Sequence, residues 1–467
     1  MGNNRGSYLI KNTIIFTLGN FGSKFISFFL IPLYTNALTT TEYGVVDLVT
    51  TVGTVAVPIL TLNICESVMR FALDKDADNE KITQIGTNIL VIGMVVGLLI
   101  FPICHFFDKI SPYAIFVYFY VISLAASQLY LCDLRGKELL VHYSIGNVLH
   151  TFFVAILNIL FLLVLKEGID GYLKAYIIAN TLTAIYALIA GKGFKSFSFL
   201  KIDKNLLSQM IKYSIVLIPN SFMWWIMNSS DRIMVSSMVG IAANGVYAVS
   251  YKLPTLVSTI TTIFNQAWSY SAIREAGSTD ESEYNNKIFK VLTGSVMLIG
   301  IGLVTFMKPF LSFYVAQEYY IAWKYTPFLT IGCVYLTLAS FMATSYTVHK
   351  DSFGYLFSGM FGAIFNIVMN FVLIPLIDVY GAAIATCISY ILVFTFRLFH
   401  TRKYIQYKIK NKEFIVGSII LTLSSFLMFI DNWCGFVLQC IFLGVAVYLF
   451  SDVWTPILKR MLRLKGR

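Results

Sequence analysis

The sequence is poor in charged residues. Only 13% of its 467 residues are Asp, Glu, Lys or Arg, whereas a soluble protein carries about 25%. The shortage extends along the whole chain, which excludes a soluble domain with a single membrane anchor. Because 57% of the residues are hydrophobic and 16% aromatic, the composition predicts an all-α polytopic membrane protein.

Patterns that indicate a disulfide framework, a metal site or an active site are also lacking. The seven cysteines are scattered without a CxxC pair, so we expect free thiols and no disulfide. The histidines show no ligand spacing, and the short outer segments hold no paired-carboxylate constellation. We therefore expect no enzyme activity and no resident cofactor or metal.

Apolar segments of membrane-spanning length follow one another along the chain. We predict fourteen transmembrane helices, near 13–37, 44–67, 83–107, 113–132, 139–165, 171–191, 213–238, 242–271, 291–309, 322–345, 353–376, 380–401, 414–430 and 434–451. The first apolar run lacks a cleavage site and is interpreted as span one, not as a signal peptide.

The basic residues are distributed unequally between the two sides of the predicted membrane. Segments on the same side as the N-terminus hold 26 Lys and Arg residues, against 4 on the opposite side and 5 within spans. This asymmetry predicts that both termini are cytoplasmic. The net charge of +11 is accounted for by these loops, so it does not indicate a nucleic acid partner.

A weak internal repeat divides the chain. KNTIIFTLGNF (11–21) aligns with KYSIVLIPNSF (212–222), and the same offset places EYGVVDL (42–48) on ANGVYAV (243–249). We predict two pseudo-symmetric six-helix lobes, 1–191 and 213–401, joined by a basic cytoplasmic linker, 192–212. Two further helices and a basic tail occupy 402–467. Repeated lobes with a site at their interface are a common transporter plan.

Polar side chains recur at helical spacing on the first two spans of each lobe. They are Thr13, Thr17, Asn20, Lys24 and Ser27; Asp47, Thr51, Thr54 and Thr61; Asn220, Trp224, Asn228 and Asp231; and Lys252, Thr255, Thr259, Thr262 and Gln266. A single stripe of this kind is typical of helix packing. Four stripes on equivalent spans, each with an ionisable group, predict a shared wet cavity.

Three cations on these spans indicate a basic cavity, which favours an anionic cargo. The residues predicted to line the cavity are Lys24, Arg232, Lys252, Asp231, Asn20, Asn228 and Gln266. Neighbouring residues on a helix point about 100° apart, so we expect Asp231 to pair with Lys252 and leave Arg232 to hold the anion.

Other intramembrane charges have alternative interpretations. Asp47, Glu66 and Asp231 are candidates for coupling transport to H⁺ or Na⁺. Glu66 and Arg70 are one turn apart and form either an interfacial ion pair or an inner gate. Arg397 lies close to a span end, where we expect its side chain to extend to the membrane surface.

Three stretches resemble the polysaccharide-transport family of bacterial flippases, the Wzx-type O-antigen and capsule transporters of the multidrug/oligosaccharidyl-lipid/polysaccharide exporter superfamily. They are FFLIPLYTNALTTTEYGVVDL (28–48), NSSDRIMVSSMVGIAANGVYAVSYKL (228–253) and NIVMNFVLIPLIDVYGAAIATCISY (366–390). The similarity extends over nearly the whole chain and is weakest over the last two helices.

The resemblance implies a V-shaped, alternating-access transporter in the bacterial plasma membrane. Its implied cargo is a polyprenyl-diphosphate-linked oligosaccharide, held in a lumen lined by helices one, two, seven and eight. Membrane lipids, a polysaccharide polymerase and chain-length machinery are the implied partners. The glycan itself cannot be deduced from the few charges in the lumen.

Two other functions are weighed against this one. A cation-coupled multidrug exporter of the same fold usually has twelve spans, and a cationic lumen would repel cationic drugs. A membrane glycosyltransferase or polymerase places its catalytic acids or basic clusters in sizeable outer loops, whereas the outer segments of this chain are short.

The charge asymmetry generates a topology prediction. A reporter that is active only outside the cytoplasm should be active when fused at Thr40, Ala242 or Asp378. The same reporter should be silent at Asn205, at Gln406 or at the C-terminus. Activity at Asn205 would contradict the two-lobe arrangement.

Overall fold

The computed structural model describes residues 26–74, 76–100, 111–196, 202–275, 277–278, 280–409 and 412–455, and this part of the chain is helical with no strand. The helices are α1 Ile26–Ala37, α2 Thr40–Leu60, α3 Ile64–Ala72, α4 Asn79–Ile100, α5 Ala114–Gly136, α6 Leu140–Asn158, α7 Gly168–Ala190, α8 Lys204–Met238, α9 Ile241–Lys252, α10 Pro254–Glu275, α11 Glu281–Tyr314, α12 Thr326–Val348, α13 Ser352–His400, α14 Lys412–Leu427 and α15 Trp433–Leu449.

Eight helical segments of the described chain are long and apolar enough to cross a membrane. Helices α1, α14 and α15 are apolar but shorter. The prediction of an all-α, multi-pass membrane protein is therefore confirmed, while the number of fourteen spans stays a prediction.

Two predicted spans, 44–67 and 242–271, are each divided into two helices. Between α2 and α3, Leu62 and Asn63 have left-handed φ values of 50° and 52°, which no helix accommodates. Leu253 separates α9 from α10 directly before Pro254, whose ring cannot donate a helical hydrogen bond. Neither break was predicted from the sequence.

The long helix α13 contains a kink that separates two predicted spans. Ile377 and Asp378 have non-helical backbone angles, and this agrees with the predicted boundary between 353–376 and 380–401. Gly381 comes after the kink, where an added Cβ would collide with the backbone of Leu373. Glycine is thus required for the second half of α13 to begin so close to the first.

The chain divides into two compact units, Met1–Trp225 and Ile226–Arg467. In the first unit α5 packs against α2, α3 and α7, and in the second α12 packs against α10, α11 and α13. The division falls inside α8 and not in the basic linker, and the predicted lobe boundaries stay predictions.

The expectation of free thiols is wrong for two cysteines. Cys65 of α3 and Cys132 of α5 form a disulfide, with their Cα atoms 5.8 Å apart. They are 67 residues apart in sequence, and they meet only because α3 packs against α5. Spacing along the chain gives no sign of that contact. Cys333, Cys387, Cys434 and Cys440 are free, and Cys104 lies outside the described residues.

A buried ion pair joins three helices of the first unit. Lys137 Nζ lies 2.6 Å from Asp133 Oδ2 and donates to the carbonyl of Gly191, at the end of α7, at 2.9 Å. Thr83 of α4 donates to the other carboxylate oxygen of Asp133 at 2.6 Å. Because both charges are nearly inaccessible to water, each depends on the other to offset its burial.

Removal of one partner should expose this dependence. We expect Lys137→Met to lower the unfolding free energy by about 3–5 kcal/mol, because it leaves the buried Asp133 without a cation. Arg70→Met is the matched control, since Arg70 forms an i,i+4 pair with Asp74 whose side chains are half-exposed. Thermal unfolding of the purified protein in detergent measures both variants. Equal melting temperatures for the two would contradict the interpretation.

Candidate functional site

The second unit holds a carboxylate that is buried within the protein. Asp231 on α8 is 2% exposed. Its Oδ2 accepts hydrogen bonds from the hydroxyl of Tyr247 on α9 at 2.5 Å and from Thr386 on α13 at 3.3 Å. Its Oδ1 accepts from the backbone N–H of Arg232 at 2.9 Å. The carboxylate therefore ties three helices together at one depth.

The chain of hydrogen bonds continues into the first half of α13. Asn366 donates to Thr386 Oγ1 at 3.3 Å, and Asn370 donates to Asn366 Oδ1 at 3.0 Å. All these side chains are almost fully buried. We call Asp231, Tyr247, Thr386, Asn366 and Asn370 the carboxylate network.

The predicted ion pair between Asp231 and Lys252 is wrong, since Asp231 makes its contacts within this network. Helices α8 and α9 are joined by a short turn, and the distance of each residue from that turn decides which side chain of α9 lies beside Asp231. Asp231 lies seven residues before the end of α8, and Tyr247 lies six residues after the start of α9. Lys252 is five residues further on, about 7.5 Å along the helix axis.

Arg232 lies in different surroundings from its neighbour. Its guanidinium carbon is 5.7 Å from the ring centroid of Tyr251 on α9, a cation–π contact. The side chain is half-buried, whereas Asp231 is buried. The two adjacent side chains thus have different contacts, and the prediction that Arg232 holds an anion stays a prediction.

Two tyrosines link Arg232 to Asn228, one turn earlier on α8. The hydroxyl of Tyr251 lies 3.0 Å from that of Tyr390 on α13. The Tyr390 hydroxyl in turn lies 3.1 Å from the carbonyl of Met227 and 3.3 Å from Asn228 Oδ1. We call Tyr251 and Tyr390 the tyrosine pair. Both are buried, while Asn228 is half-buried.

Sequence reasoning missed the tyrosines and Thr386, although a signal was present. Tyr247 and Tyr251 are four residues apart in GVYAVSYK (245–252), and Thr386 and Tyr390 are four apart in YGAAIATCISY (380–390). Each pair shares one face of its helix. Both stretches are among those that carry the family resemblance.

The remaining predicted site residues lie in separate units or outside the described part of the chain. Asp47 is buried in α2, and Lys252 is half-buried at the end of α9. Lys24 and Asn20, with the side chain of Gln266, lie outside the described residues. The prediction that these residues line one cavity stays a prediction.

The predicted pair between Glu66 and Arg70 is not formed. Arg70 instead contacts Asp74 at 2.6 Å, one turn further on. Both Glu66 and Arg70 are exposed. Glu66 lies four residues before Arg70 and Asp74 four residues after it, so the spacing allowed either pair. Arg70 pairs with Asp74, which lies in the loop after α3.

The expectation that Arg397 extends to the membrane surface is wrong. Its side chain is 1% exposed. It donates to Ser358 Oγ at 3.0 Å and to the carbonyl of Ala339 at 2.9 Å, and it lies 5.5 Å from the ring centroid of Tyr355. Arg397 therefore joins α12 to both halves of α13 instead of extending towards the membrane surface.

No group of three or more metal-ligating side chains occurs in the described part of the chain. What the second unit offers is a half-buried guanidinium and a half-buried amide on one face of α8, both contacted by buried tyrosines. Such a face can bind an anion that also carries hydroxyl groups.

A family model described as "polysaccharide biosynthesis protein" matches residues 9–270, more than half of the chain. The chain belongs to this family. The match includes α8, α9 and most of α10, and thus Asn228, Asp231, Arg232 and Tyr251.

The chain is also similar to proteins of distant sequence. An uncharacterized membrane protein of Methanocaldococcus jannaschii is 23% identical over 418 residues, which cover 84% of this chain and 97% of the relative. The lipid II flippase MurJ, in an inward closed conformation, matches with a TM-score of 0.66 and 15% identity over 95% of this chain and 99% of MurJ.

Two further solved structures belong to the MOP superfamily. An inward-facing multidrug resistance MATE transporter has a TM-score of 0.62 and 13% identity, and covers 84% of this chain and 94% of its own. A transporter from Pyrococcus furiosus, characterised by reversed polarity of its binding pocket, has a TM-score of 0.58 and 14% identity over 84% and 95%. The chain shares the fold of these transporters.

The carboxylate network generates a stability prediction. The effects of Asp231→Asn and Tyr247→Phe on the unfolding free energy should not be additive, because the two side chains share a hydrogen bond. Either single change leaves a buried polar group without its partner, at a cost of about 1–3 kcal/mol. The double variant should then lose less stability than the sum of the singles. Asp231→Asn combined with Lys252→Met should be additive. Rescue of Asp231→Asn by Lys252→Met, measured as melting temperature and membrane abundance, would restore the ion-pair interpretation.

Proposed function

We propose that this protein is a flippase for polyprenyl-diphosphate-linked oligosaccharide repeat units. It would move them from the cytoplasmic to the outer leaflet of the plasma membrane for the synthesis of O-antigen, capsule or exopolysaccharide. Membership of the polysaccharide biosynthesis protein family supports this assignment. The shared fold alone does not decide between a flippase and a drug exporter, because both kinds of transporter adopt it.

The observation that carries the proposal is the placement of Arg232. It is a half-buried guanidinium on a long helix, and arginine binds phosphate through two parallel hydrogen bonds. Asn228, one turn away on the same helix, supplies an amide for sugar hydroxyls. A diphosphate joined to a glycan presents both groups side by side.

Other residues have roles within the same proposal. Lys252 and Lys24 would add positive charge for the diphosphate or for acidic sugars, and Asn20 and Gln266 would bind the glycan. The cargo would cross the membrane without any covalent change, so the protein would act as a transporter and not as an enzyme. A polysaccharide polymerase and chain-length machinery would then receive the translocated unit.

Coupling to H⁺ or Na⁺ is part of the proposal. Asp47 is a buried carboxylate on a membrane helix, and such groups are typical of ion and proton pathways. Asp231, which already accepts three hydrogen bonds, is the weaker candidate for a carrier that must gain and lose a proton.

Deletion of the gene should cause a lipid-linked oligosaccharide to accumulate on the cytoplasmic leaflet. Complementation with Arg232→Ala or Lys252→Ala should reduce export about ten- to a hundredfold, since each change removes a charge-assisted hydrogen bond worth about 1.5–3 kcal/mol. Arg402→Ala, at an exposed position after α13, is the matched control and should export normally. Protein abundance is measured in parallel.

A different outcome would overturn the proposal. If the deletion strain accumulates no lipid-linked oligosaccharide and instead becomes sensitive to cationic drugs, the protein is an exporter. If both alanine variants export at the rate of the control, these cations do not bind the cargo.

A further inference from the structure

We propose that the tyrosine pair, Tyr251 and Tyr390, positions Arg232 and Asn228 for the cargo, so that both tyrosines are positioning residues of the site. This inference rests on the proposed function, since it assumes that Arg232 binds the diphosphate. It adds two side chains that neither the charge pattern nor the polar stripes indicated.

The ring of Tyr251 restrains the guanidinium of Arg232. The contact is 5.7 Å from guanidinium carbon to ring centroid, and a cation–π contact consumes none of the N–H donors of arginine. A flexible side chain is thereby held in place, which lowers the entropy that it loses when an anion binds.

Tyr251 is itself held in place by a hydrogen bond to Tyr390 on α13. It is 4% exposed, and its hydroxyl bonds the hydroxyl of Tyr390, which is 1% exposed, at 3.0 Å. Since Tyr251 is on α9 and Tyr390 on α13, the pair fixes the ring relative to two helices that pack against each other. The carboxylate network holds the same three helices together through Asp231.

The hydroxyl of Tyr390 has a second acceptor besides Asn228. A phenol carries one hydrogen, yet two acceptors lie within reach, the carbonyl of Met227 at 3.1 Å and Asn228 Oδ1 at 3.3 Å. If the amide of Asn228 turns to bind a sugar, the hydroxyl retains the carbonyl of Met227. No buried donor is then left unsatisfied, a loss that would otherwise weaken binding.

The experiment measures binding of polyprenyl diphosphate, without a glycan, to the purified full-length protein in lipid nanodiscs. Tyr251→Leu removes the ring and should weaken binding about two- to thirtyfold. Tyr251→Phe keeps the ring but loses the hydrogen bond to Tyr390, so it should weaken binding less than Tyr251→Leu and about as much as Tyr390→Phe, two- to tenfold. The matched control is Tyr335→Leu, because Tyr335 is a half-buried ring of the same unit that contacts Phe394 and Phe414.

Coupling to Arg232 separates positioning from a structural role. In the Arg232→Ala background, Tyr251→Leu should have no further effect on binding, because its target is gone. A merely structural role would lower binding and melting temperature equally in both backgrounds, and this result would overturn the inference. The inference would also be overturned if Tyr251→Leu bound normally while Arg232→Ala bound weakly. That result would leave the proposed function intact.

Tyr390→Phe provides an independent test if Tyr251→Leu does not fold. It keeps the ring and removes only the hydroxyl, and should weaken binding about two- to tenfold in the presence of Arg232 and not in its absence. An unchanged affinity would overturn the role of Tyr390. If Arg232→Ala itself binds like wild type, both the inference and the assignment of Arg232 to the diphosphate are wrong.

Discussion

The second unit depends on the need to satisfy a carboxylate inside a membrane protein. Asp231 is 2% exposed, and an unpaired charge buried in this way costs several kcal/mol. The solution is three donors, from the hydroxyls of Tyr247 and Thr386 and from one backbone N–H. Because these groups belong to α8, α9 and α13, satisfying the charge also fixes the relative depth of three helices. A shift of α9 by one turn would remove Tyr247 from Asp231.

This arrangement explains why an acid and a base stand side by side in a membrane helix. The two side chains leave α8 in directions about 100° apart and meet different environments. Asp231 turns into the protein and holds the helices together, while Arg232 lies half-buried over the ring of Tyr251. The two adjacent side chains therefore have different contacts: the Asp231 carboxylate joins three helices, and the Arg232 guanidinium lies near the ring of Tyr251.

The fold of this protein does not by itself identify a cargo. Helix packing of this kind is shared with a lipid II flippase and with multidrug transporters, so the packing does not select the cargo. Under the proposed function, the cargo is selected by the charge and the hydrogen-bonding groups of Arg232 and Asn228, which lie on one face of α8.

Hydropathy and helical periodicity are local properties of the chain, and the features that depend on them alone were predictable from the sequence. The all-helical membrane fold, the boundary near Asp378, and the shared face of Asn228 and Asp231 belong to this group. The family resemblance also pointed to the two stretches that contain Tyr247, Tyr251, Thr386 and Tyr390.

Which helices meet, and at which positions along their axes, was visible only in the folded chain. There Tyr247 and not Lys252 contacts Asp231, and Cys65 is bonded to Cys132. Arg397 is buried against Ser358 and the carbonyl of Ala339. Each of these contacts links residues on different helices or on two halves of a kinked helix. The physical reason is that a helical repeat fixes the direction of a side chain about its own axis, whereas its partner depends on the register between helices. That register is set by turns, kinks and close packing at glycine, which are properties of the folded chain.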